Sequence, residues 1–307
     1  MSENPYAASA VISSWNKKED VRKNLDALRL QKLPFDEIVL VDNASSDGTA
    51  EMVRTEYPEV KLVVTPHSEY GACETFNLGF STAQYPLIAI LDDDVVLPPE
   101  WLEKLVEKFR SEPETTAVLS TKVMEPGTPD WYDQHPEVNR ERFMSTFRGC
   151  GSIARRDVLE RAGWYDTKFF IYGNERDLTA RILNLGYRVK QYPGVTTFHG
   201  TPFGMKMGKR SLYFHVRNLW WTLFKYAKWT DVVRFWMRLA GKSLRKPKPD
   251  EATADSVGSI GAAKNVFATK GGVFIVMKAT FHAFLGLRYC LKNREVCRAE
   301  DFSLPDH

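Results

Sequence analysis

Three consecutive carboxylates are the clearest residues in the chain that could do chemistry. Asp92, Asp93 and Asp94 follow the apolar run LIAIL and precede VVLPPEW. Side chains alternate along an extended chain, so Asp92 and Asp94 are expected on one side and Asp93 on the other. Two carboxylates on one side are typical ligands of Mg²⁺ or Mn²⁺, with phosphate oxygens completing the coordination shell. The alternative is an acidic turn or helix cap before Pro98 and Pro99.

A second polar cluster, DNASSDGT, follows the hydrophobic run EIVLV. Ser45, Ser46 and Asp47 are explained well enough as helix-cap and turn residues, and Gly48 relieves a tight turn. Asp42 is not explained in that way. At a strand end its carboxylate can accept hydrogen bonds from a nucleobase or from ribose hydroxyls. No G-x-G-x-x-G follows the first predicted strand, so a dinucleotide cofactor fits poorly.

Elements that alternate between β and α character must position these clusters. Such alternation predicts an α/β fold with a doubly wound, mostly parallel sheet, and ligands bind such sheets beyond the carboxyl ends of the strands. An aperiodic stretch with prolines and aromatic residues, 126–142, predicts a long functional loop. The predicted strands are 9–13, 37–41, 61–65, 87–91, 187–192 and 196–199, and the predicted helices are 20–29, 49–56, 74–82, 155–162 and 177–185.

Composition narrows the function classes. The 307 residues are 43% hydrophobic with a formal net charge of +3, which fits a globular protein and gives no reason to expect nucleic acid as a partner. Four cysteines form no C-x-x-C pair, which suits a reducing compartment. The N-terminus lacks the pattern of a signal peptide, so a cytoplasmic location is expected.

The chain changes character beyond about residue 205. Between Met205 and Pro249 it has twelve Lys or Arg and one acid, Asp231, interleaved with aromatic residues. This pattern predicts peripheral contact of residues 210–246 with the inner face of a membrane. A solvated basic face packed onto the core and a dimer interface are the alternatives. A linker is expected at 247–262, followed by a last apolar helix. The interleaved aromatic residues are Trp220, Trp221, Phe224, Trp229, Phe235 and Trp236.

Seven segments in order resemble one family. They are SSWNKKEDVRKNLDAL, VLVDNASSDGT, GACETFNLGFSTA, AILDDDV, GCGSIARRDVLERAGWYD, FFIYGNERDLTARILNLGYRV and FHG. Together they resemble the family 2 inverting glycosyltransferases with a GT-A fold, in particular rhamnosyltransferase-like members. The resemblance covers residues 8–200. It implies a Rossmann-like catalytic domain at 1–205, with a nucleotide-sugar half at 1–120 and an acceptor half at 121–205, followed by a helical C-terminal region at 206–307.

The resemblance also implies roles for individual residues. Asp94 would ligate a Mg²⁺ or Mn²⁺ ion on the sugar-nucleotide diphosphate, with Asp92 and His199 completing the metal site. Asp42 would recognise the base. The positions implied to bind the nucleotide sugar, of UDP or dTDP type, are Ser13, Asn16, Asp42, Asn43, Asp92, Asp93 and Gly151.

The catalytic base is left open between two acids. The family usually has an E-D pair before x-D-L, whereas this chain has Asn174, Glu175, Arg176 and Asp177. Alignment favours Glu175 as the residue that deprotonates the acceptor hydroxyl, but Asp177 opens the predicted helix and is the alternative. On the acceptor side, Trp131 and Trp164 are candidates for stacking on sugar faces, although large aromatic residues are more often core.

The implied reaction is a metal-assisted single displacement. A sugar moves from its nucleoside diphosphate to a hydroxyl of a glycan or a lipid-linked saccharide, without an enzyme nucleophile. A nucleotidyltransferase or another phosphoryl-transfer enzyme would use similar carboxylates, but it would need a basic phosphate loop or an aspartyl nucleophile, and the chain shows neither motif. A non-catalytic binding module with the same fold is the third reading. The sequence does not fix the oligomeric state.

Overall fold

The computed structural model describes residues 4–205, 207–243 and 266–304. One sheet of nine strands forms its centre, in the order β3-β2-β1-β4-β8-β6-β9-β5, with β7 paired to β9. The strands are β1 (Ala8–Ser14), β2 (Glu37–Asp42), β3 (Lys61–Val64), β4 (Leu87–Asp92), β5 (Val95–Val96), β6 (Thr116–Met124), β7 (Arg142–Phe143), β8 (Ser152–Arg155) and β9 (Arg188–His199).

Helices cover both faces of this sheet and continue beyond it. Their apolar sides and the two faces of the strands form two large core clusters. The helices are α1 (Lys18–Arg29), α2 (Thr49–Glu56), α3 (Ala72–Thr82), α4 (Trp101–Ser111), α5 (Asp130–Asp133), α6 (Arg156–Arg161), α7 (Asn174–Asn184), α8 (Lys209–Tyr226), α9 (Trp229–Ser243), α10 (Gly272–Leu285) and α11 (Leu287–Lys292).

Strands β1 to β4 form the parallel half that the sequence predicts, and the α/β class is confirmed. Almost every residue of β1 and β4 is buried, as expected for strands covered on both faces. The register pairs Ser14 with Asp42 on one side of β1 and Ser13 with Asp92 on the other. The two predicted polar clusters therefore meet at the carboxyl end of β1.

The other half of the sheet is mixed. Strand β8 runs antiparallel to both β4 and β6, while β6 and β9 are parallel. The two strands predicted at 187–192 and 196–199 are one strand, β9. Pro193 and Gly194 lie between the two predicted strands, and the ladder absorbs them as a register shift between Thr121 and Lys122 of β6. Helix α4 and strand β6 had not been predicted, and the loop at 126–142 contains the short helix α5.

The C-terminal helices pack onto the sheet domain through α8. Trp221 and Phe224 of α8, Ala283 of α10 and Cys290 of α11 belong to the same core cluster as strand residues such as Val11. The domain boundary expected near residue 205 stays a prediction, and the linker expected at 247–262 lies outside the described residues. None of the helices in the described part of the chain combines the length and the apolar character that crossing a bilayer requires.

Candidate functional site

Strand ends bring two of the three acids to one histidine. Asp92 ends β4, the chain turns through Asp93 and Asp94, and β5 pairs Val95 with His199 at the end of β9. His199 Nε2 lies 3.2 Å from Asp94 Oδ1 and 3.7 Å from Asp92 Oδ2. Asp93 turns away, since its Oδ2 accepts from the Trp15 amide at 3.4 Å. Asp92 and Asp94 thus lie on one side and Asp93 on the other, as the sequence predicts.

Neighbouring groups fix the histidine and Asp94 in place. His199 Nδ1 lies 3.1 Å from Glu125 Oε1, which leaves Nε2 for the two aspartates. The Thr201 hydroxyl donates to Asp94 Oδ2 at 3.1 Å. Burial lowers the pKa of His199, but Asp94 and Glu125 outweigh it and raise this pKa to about 10. The same His199 contact, against the cost of burial, holds the pKa of Asp94 below its usual value. The acids thus create a site that favours positive charge.

The donor set fits a divalent cation. Asp92 and Asp94 offer carboxylate oxygens, and His199 offers a ring nitrogen on the same side; Mn²⁺ accepts both kinds of ligand, whereas Mg²⁺ prefers oxygen. The structure adds a residue that sequence reasoning missed. One ligand atom from each of Asp92, Cys150 and His199 lies within 4.8 Å of the others. Cys150 escaped notice because no second cysteine or histidine stands near it in the sequence, although it does lie in the RGCGS segment.

A cleft of about 470 Å³ opens beside this cluster. Its lining includes Asp94 and His199, Lys23 of α1, and Phe198 near the end of β9. Asp94 keeps 10% of its side-chain surface exposed and Asp92 keeps 42%. Both acids are therefore within reach of a ligand in solution.

The loops that follow β1 and β2 are bonded to each other. The Asn16 amide donates to the Ser45 hydroxyl at 2.8 Å, and Asn16 Oδ1 accepts from the Ser46 amide at 2.8 Å. Asn16 needs the left-handed conformation, with φ of 54°, to make both contacts. Asp47 accepts from the Lys18 amide at 2.9 Å and so caps α1 from the second loop. The predicted donor-side residues after β1 and β2 thus form one rim.

Asp42 and Asn43 lie beneath this rim. Asp42 is fully buried; its Oδ2 accepts from the Ser45 amide at 3.1 Å, while its Oδ1 has no hydrogen-bond partner in the described part of the chain. Asn43 donates to the Tyr70 carbonyl at 3.0 Å and accepts from Thr65. Asn43 therefore braces the loop, whereas Asp42 retains an unused acceptor.

Two other predicted donor residues face protein neighbours. The Ser13 hydroxyl lies 2.7 Å from that of Thr75 in α3. At Gly151, a Cβ would come within 2.6 Å of Thr197 Oγ1 and 3.0 Å of Thr121 Oγ1. Gly151, which precedes β8, is therefore required by its close approach to Thr121 of β6 and Thr197 of β9. Its contact with the nucleotide sugar stays a prediction.

Glu175 stands in the first turn of α7 and points at the RGCGS segment. A Cβ on Gly149 would lie only 2.7 Å from Glu175 Oε1, so the carboxylate occupies the space that this glycine leaves. Asn174 Nδ2 donates to the same oxygen at 2.9 Å. Burial raises the pKa of Glu175, and the bond from Asn174 only partly opposes this. Because Cys150 follows Gly149, Glu175 lies at the same end of the sheet as the acid cluster.

Asp177, the alternative base, lies in a buried network of ion pairs. Its side chain is fully buried, and Arg181 Nη2 lies 2.6 Å from its Oδ2. Its Oδ1 is 2.5 Å from Lys225 Nζ and accepts from the Tyr226 hydroxyl at 2.8 Å. Burial by itself would raise the pKa of Asp177, but Arg181 and Lys225 hold it below its usual value. Both oxygens are saturated, so Asp177 has no acceptor left for a substrate proton.

The segment before Glu175 is held in a strained conformation by α8. Phe170 and Tyr172 have φ of 67° and 64°, values that side chains other than glycine rarely adopt. Asn218 Nδ2 faces three backbone carbonyls there, those of Phe169, Ile171 and Tyr172, at 3.1, 2.9 and 2.6 Å. Asn218 is itself 1% exposed. Helix α8 thus determines where the first turn of α7 begins.

The two candidate stacking residues, Trp131 and Trp164, differ in exposure and packing. Trp131 is 47% exposed on the loop that carries α5, with its ring 6.4 Å from that of Phe203. Trp164 packs instead against Phe80, with centroids 5.7 Å apart, and the Arg156 guanidinium lies 5.9 Å from its ring. Trp164 is thus partly buried against the core cluster, and Trp131 is the more exposed of the two. Stacking of either ring on a sugar stays a prediction.

Comparison with solved structures identifies the fold. Mannosyltransferase PcManGT from Pyrobaculum calidifontis, solved with GDP-Man and Mn²⁺, matches 94% of this chain and 83% of its own, with a TM-score of 0.57 and 20% identity. TarS 1-349 from S. aureus, solved with UDP-GlcNAc, matches 93% of this chain and 90% of its own, with a TM-score of 0.55 and 14% identity. The fold is therefore that of the GT-A glycosyltransferases.

The family model "Glycosyl transferase family 2" matches residues 9–213, and the chain belongs to this family. The "Probable glycosyltransferase YdaM" of Bacillus subtilis is 25% identical over 239 residues, which are 71% of this chain and 56% of the relative. The "Amylovoran biosynthesis glycosyltransferase AmsE" of Erwinia amylovora is 29% identical over 205 residues, 61% of this chain and 73% of the relative. Chondroitin synthase of Escherichia coli is 26% identical, and the chain spans only 35% of its length.

Proposed function

We propose that the protein is an inverting glycosyltransferase that moves a sugar from a nucleoside-diphosphate donor to a hydroxyl of a glycan or a lipid-linked saccharide. Family membership supports the reaction class. The observation that carries the rest is the arrangement at one end of the sheet. The cluster of Asp92, Asp94 and His199, which favours a cation, lies at one end of the sheet. At the same end lies the partly buried carboxylate of Glu175, whose Oε1 accepts a hydrogen bond from Asn174.

The donor is held by the rim between the first two strand-end loops and the acid cluster. Asp42 has one buried oxygen without a hydrogen-bond partner in the described residues, and an imide or hydroxyl donor of the nucleoside would supply that bond. The diphosphate faces the acids, whose mutual repulsion a divalent cation relieves. A donor of UDP or dTDP type remains our expectation. Mn²⁺ suits the mixed oxygen and nitrogen donors better than Mg²⁺ does.

In the proposed reaction, Asp92, Asp94 and His199 would hold the cation, which supplies positive charge opposite the departing diphosphate. Glu175 removes the proton from the acceptor hydroxyl. The acceptor oxygen forms a bond to the anomeric carbon as the bond to the diphosphate oxygen breaks, and the configuration inverts. The products are the glycoside and the nucleoside diphosphate, and Glu175 passes its proton to water. Its raised pKa makes the carboxylate a stronger base than an exposed glutamate.

Turnover of nucleotide sugars with Mn²⁺ tests the proposal. Transfer or slow hydrolysis releases a nucleoside diphosphate, whereas nucleotidyl transfer would release a monophosphate or pyrophosphate. We expect the diphosphate, and its release should fall at least about a hundredfold in Asp94→Asn, which loses a ligand next to the developing charge.

The matched control is Asp157→Asn, which changes an exposed acid of α6 and should retain the wild-type rate. Thermal-shift measurements with Mn²⁺ and a panel of nucleotide sugars give a second readout, because a ligand that binds only the folded state raises Tm. Release of monophosphate, or equal rates in wild type and Asp94→Asn, would refute the proposal.

A further inference from the structure

Helix α10 turns small residues toward the protein and large apolar residues toward solvent, which is the reverse of the usual arrangement. Its small residues Gly272, Ala279 and Ala283 are buried, the two alanines with no exposed surface. Six of its larger apolar side chains lie outward, each between 48% and 71% exposed, while Ile275 and Val276 are partly buried. At 100° per residue the six outward side chains fall within a face about 120° wide. These outward residues are Val273, Phe274, Met277, Phe281, Phe284 and Leu285.

This outward face cannot be explained as the surface of an ordinary globular helix. Such a helix presents polar residues to water, and a helix that is apolar all round is buried in a core or in lipid. Six large apolar side chains on one short helix form a contiguous patch of the kind that marks an interaction site. With 14 residues the helix is also too short to cross the hydrocarbon layer, which needs about 20. We therefore expect this face to be covered by an interaction partner.

The charge around the face indicates what that partner is. Residues 266–292 contain four cations, Lys270, Lys278, Arg288 and Lys292, and no Asp or Glu. Anionic lipid headgroups attract such a segment, while the apolar side chains between the cations reach the acyl boundary. A second copy of the same face, related by two-fold symmetry, would instead oppose cation to cation.

A neighbouring helix extends the apolar surface. Trp229, Val233 and Met237 lie one helical turn apart on α9 and are at least half exposed. The Phe224 ring lies between the two helices, 6.3 Å from Trp229 and 5.3 Å from Phe284.

Part of the stretch 210–246, for which membrane contact was predicted, is buried in the protein. Trp221, Phe224 and Phe235 of that stretch are buried, and the side chain of Trp236 lies outside the described residues. Three of the predicted aromatic contacts therefore belong to the core. The exposed surface lies on α10, with the stripe on α9 beside it.

We propose that α10 lies in the headgroup plane of a bilayer that contains anionic lipid, with its outward apolar face at the acyl boundary. The inference does not rest on the proposed transfer reaction, since it concerns a surface outside the acid cluster and predicts binding without donor or acceptor.

Co-sedimentation of the full chain with vesicles tests the inference directly. We expect binding to phosphatidylcholine vesicles with about 30% phosphatidylglycerol, weakened by salt and weaker on phosphatidylcholine alone. The double variant Phe274→Ser/Phe281→Ser should partition at least about tenfold less. A second double variant, Lys270→Gln/Lys278→Gln, keeps the apolar face and should lose about fivefold per cation on the anionic vesicles only.

The control is Leu30→Ser/Val64→Ser, which removes two exposed apolar side chains far from α10 in the sequence and should bind as the wild type does. Circular dichroism melts confirm that the variants are folded. Wild type that stays in the supernatant with anionic vesicles would overturn the proposal, as would unchanged binding of both double variants. The proposal would also be overturned if the wild type formed a dimer without binding vesicles and the double variant Phe274→Ser/Phe281→Ser were monomeric. Donor turnover, measured separately, reports on the proposed function alone.

Discussion

Glu175 and Asp177 lie two positions apart in the chain but have different surroundings. Glu175 faces the space left by Gly149 and has one amide partner, whereas Asp177 is saturated by Arg181, Lys225 and Tyr226. Burial dominates at Glu175 and raises its pKa, while cations dominate at Asp177 and lower its pKa. The ionised form of the first acid is therefore a stronger base than an exposed glutamate, whereas the second is a fixed anion at neutral pH.

The variant Glu175→Gln should lose activity and gain stability. Loss of a general base costs about 10²- to 10⁴-fold in kcat, with donor affinity nearly unchanged. Because burial raises the folded-state pKa above 4.5, charging Glu175 destabilises the folded state as pH rises through this window. The variant should therefore have the higher Tm at pH 7, and the difference should vanish below pH 4.5, where both proteins are neutral at this position.

Activity profiles and melting curves against pH measure both effects. The wild-type rate should fall on the acid side with an apparent pKa above 4.5, and the residual rate of Glu175→Gln should not follow that limb. Glu160→Gln, an exposed acid of α6, serves as the control and should match wild type in both measurements. An acid limb that persists in Glu175→Gln would assign the titration to another group.

Residues were predictable from the sequence where strand ends deliver them. Asp92, Asp94 and His199 do come together as the resemblance implied, because β4 and β9 end at the same edge of the sheet. Cys150 was missed because its neighbours in space lie far from it in the chain. The partners of Asp177 were missed for the same reason, since Lys225 is 48 residues away.

At the scale of elements, α8 acts as a brace for the segment that precedes Glu175. Asn218 reaches three carbonyls, and the Arg217 guanidinium donates to the carbonyls of Lys168 and Phe169 at 2.9 and 2.8 Å. These bonds stabilise a backbone that holds Phe170 and Tyr172 at positive φ. The position of Glu175 therefore depends on two residues of α8 that lie more than 40 positions later in the chain.

Removing the brace should affect turnover more than binding. In Asn218→Ala, the carbonyls of Ile171 and Tyr172 lose this donor, whereas that of Phe169 keeps Arg217, and a shift of about 1 Å in the base costs roughly a hundredfold in rate. We expect kcat to fall about tenfold to a hundredfold while KM for the donor stays within about twofold, since the donor rim lies on other loops. Steady-state kinetics separates the two constants.

Asn184→Ala provides the matched control for this substitution. Asn184 also donates to a carbonyl, that of Glu295 at 3.3 Å, but near the end of α7 and at a more exposed position. Its kinetics should equal those of the wild type. Equal losses in the two variants, or a KM effect without a kcat effect in Asn218→Ala, would contradict the positioning role.

The elements differed in how clearly the sequence indicated them. Strands β1 to β4 were predicted closely because each is a short apolar run between turn residues. Helix α7 begins at Asn174, three residues before the predicted start, because Gly173 at φ of 73° begins the helix earlier than the apolar pattern does. Strand β9 was split by Pro193 and Gly194, since breaker residues do not reveal that a neighbouring strand can shift its register around them.

At the scale of the whole molecule, buried ion pairs connect the sheet domain to the C-terminal helices. Lys225 of α8 lies 2.5 Å from Asp177 of α7 and 2.9 Å from Asp166. The hydroxyl of Tyr289 in α11 donates to Asp166 as well. Because three helices share this network and one core cluster, we expect them to unfold together with the sheet.

Asp177→Asn should destabilise the whole protein by about 3 to 5 kcal/mol, because it leaves Arg181 and Lys225 without their full counter-charge in the interior. The folded-state pKa of Asp177 is lowered, so its contribution is present above the unfolded value of 3.8 and is lost as pH falls through the folded value. The deficit of the variant should therefore shrink in acid. Urea denaturation at several pH values measures it.

The control is Asp231→Asn, which breaks the exposed pair of Asp231 and Arg234 and should cost less than about 1 kcal/mol. Two separate unfolding transitions in Asp177→Asn, with the sheet unaffected, would contradict the shared network. A single transition shifted to lower urea is the expected result.

The packing of α10 also shows where reasoning from residue size goes wrong. A rule that turns the bulkiest side chains toward the protein interior would rotate this helix by half a turn, placing Phe274 and Phe281 against α8 and the alanines in water. Close approach decides otherwise. A Cβ at Gly286, the residue after α10, would come within 2.7 Å of the Trp221 ring. The close contact between α8 and this end of α10 therefore requires small residues. Designers who enlarge the alanines of this helix to fill the core would push it off the protein.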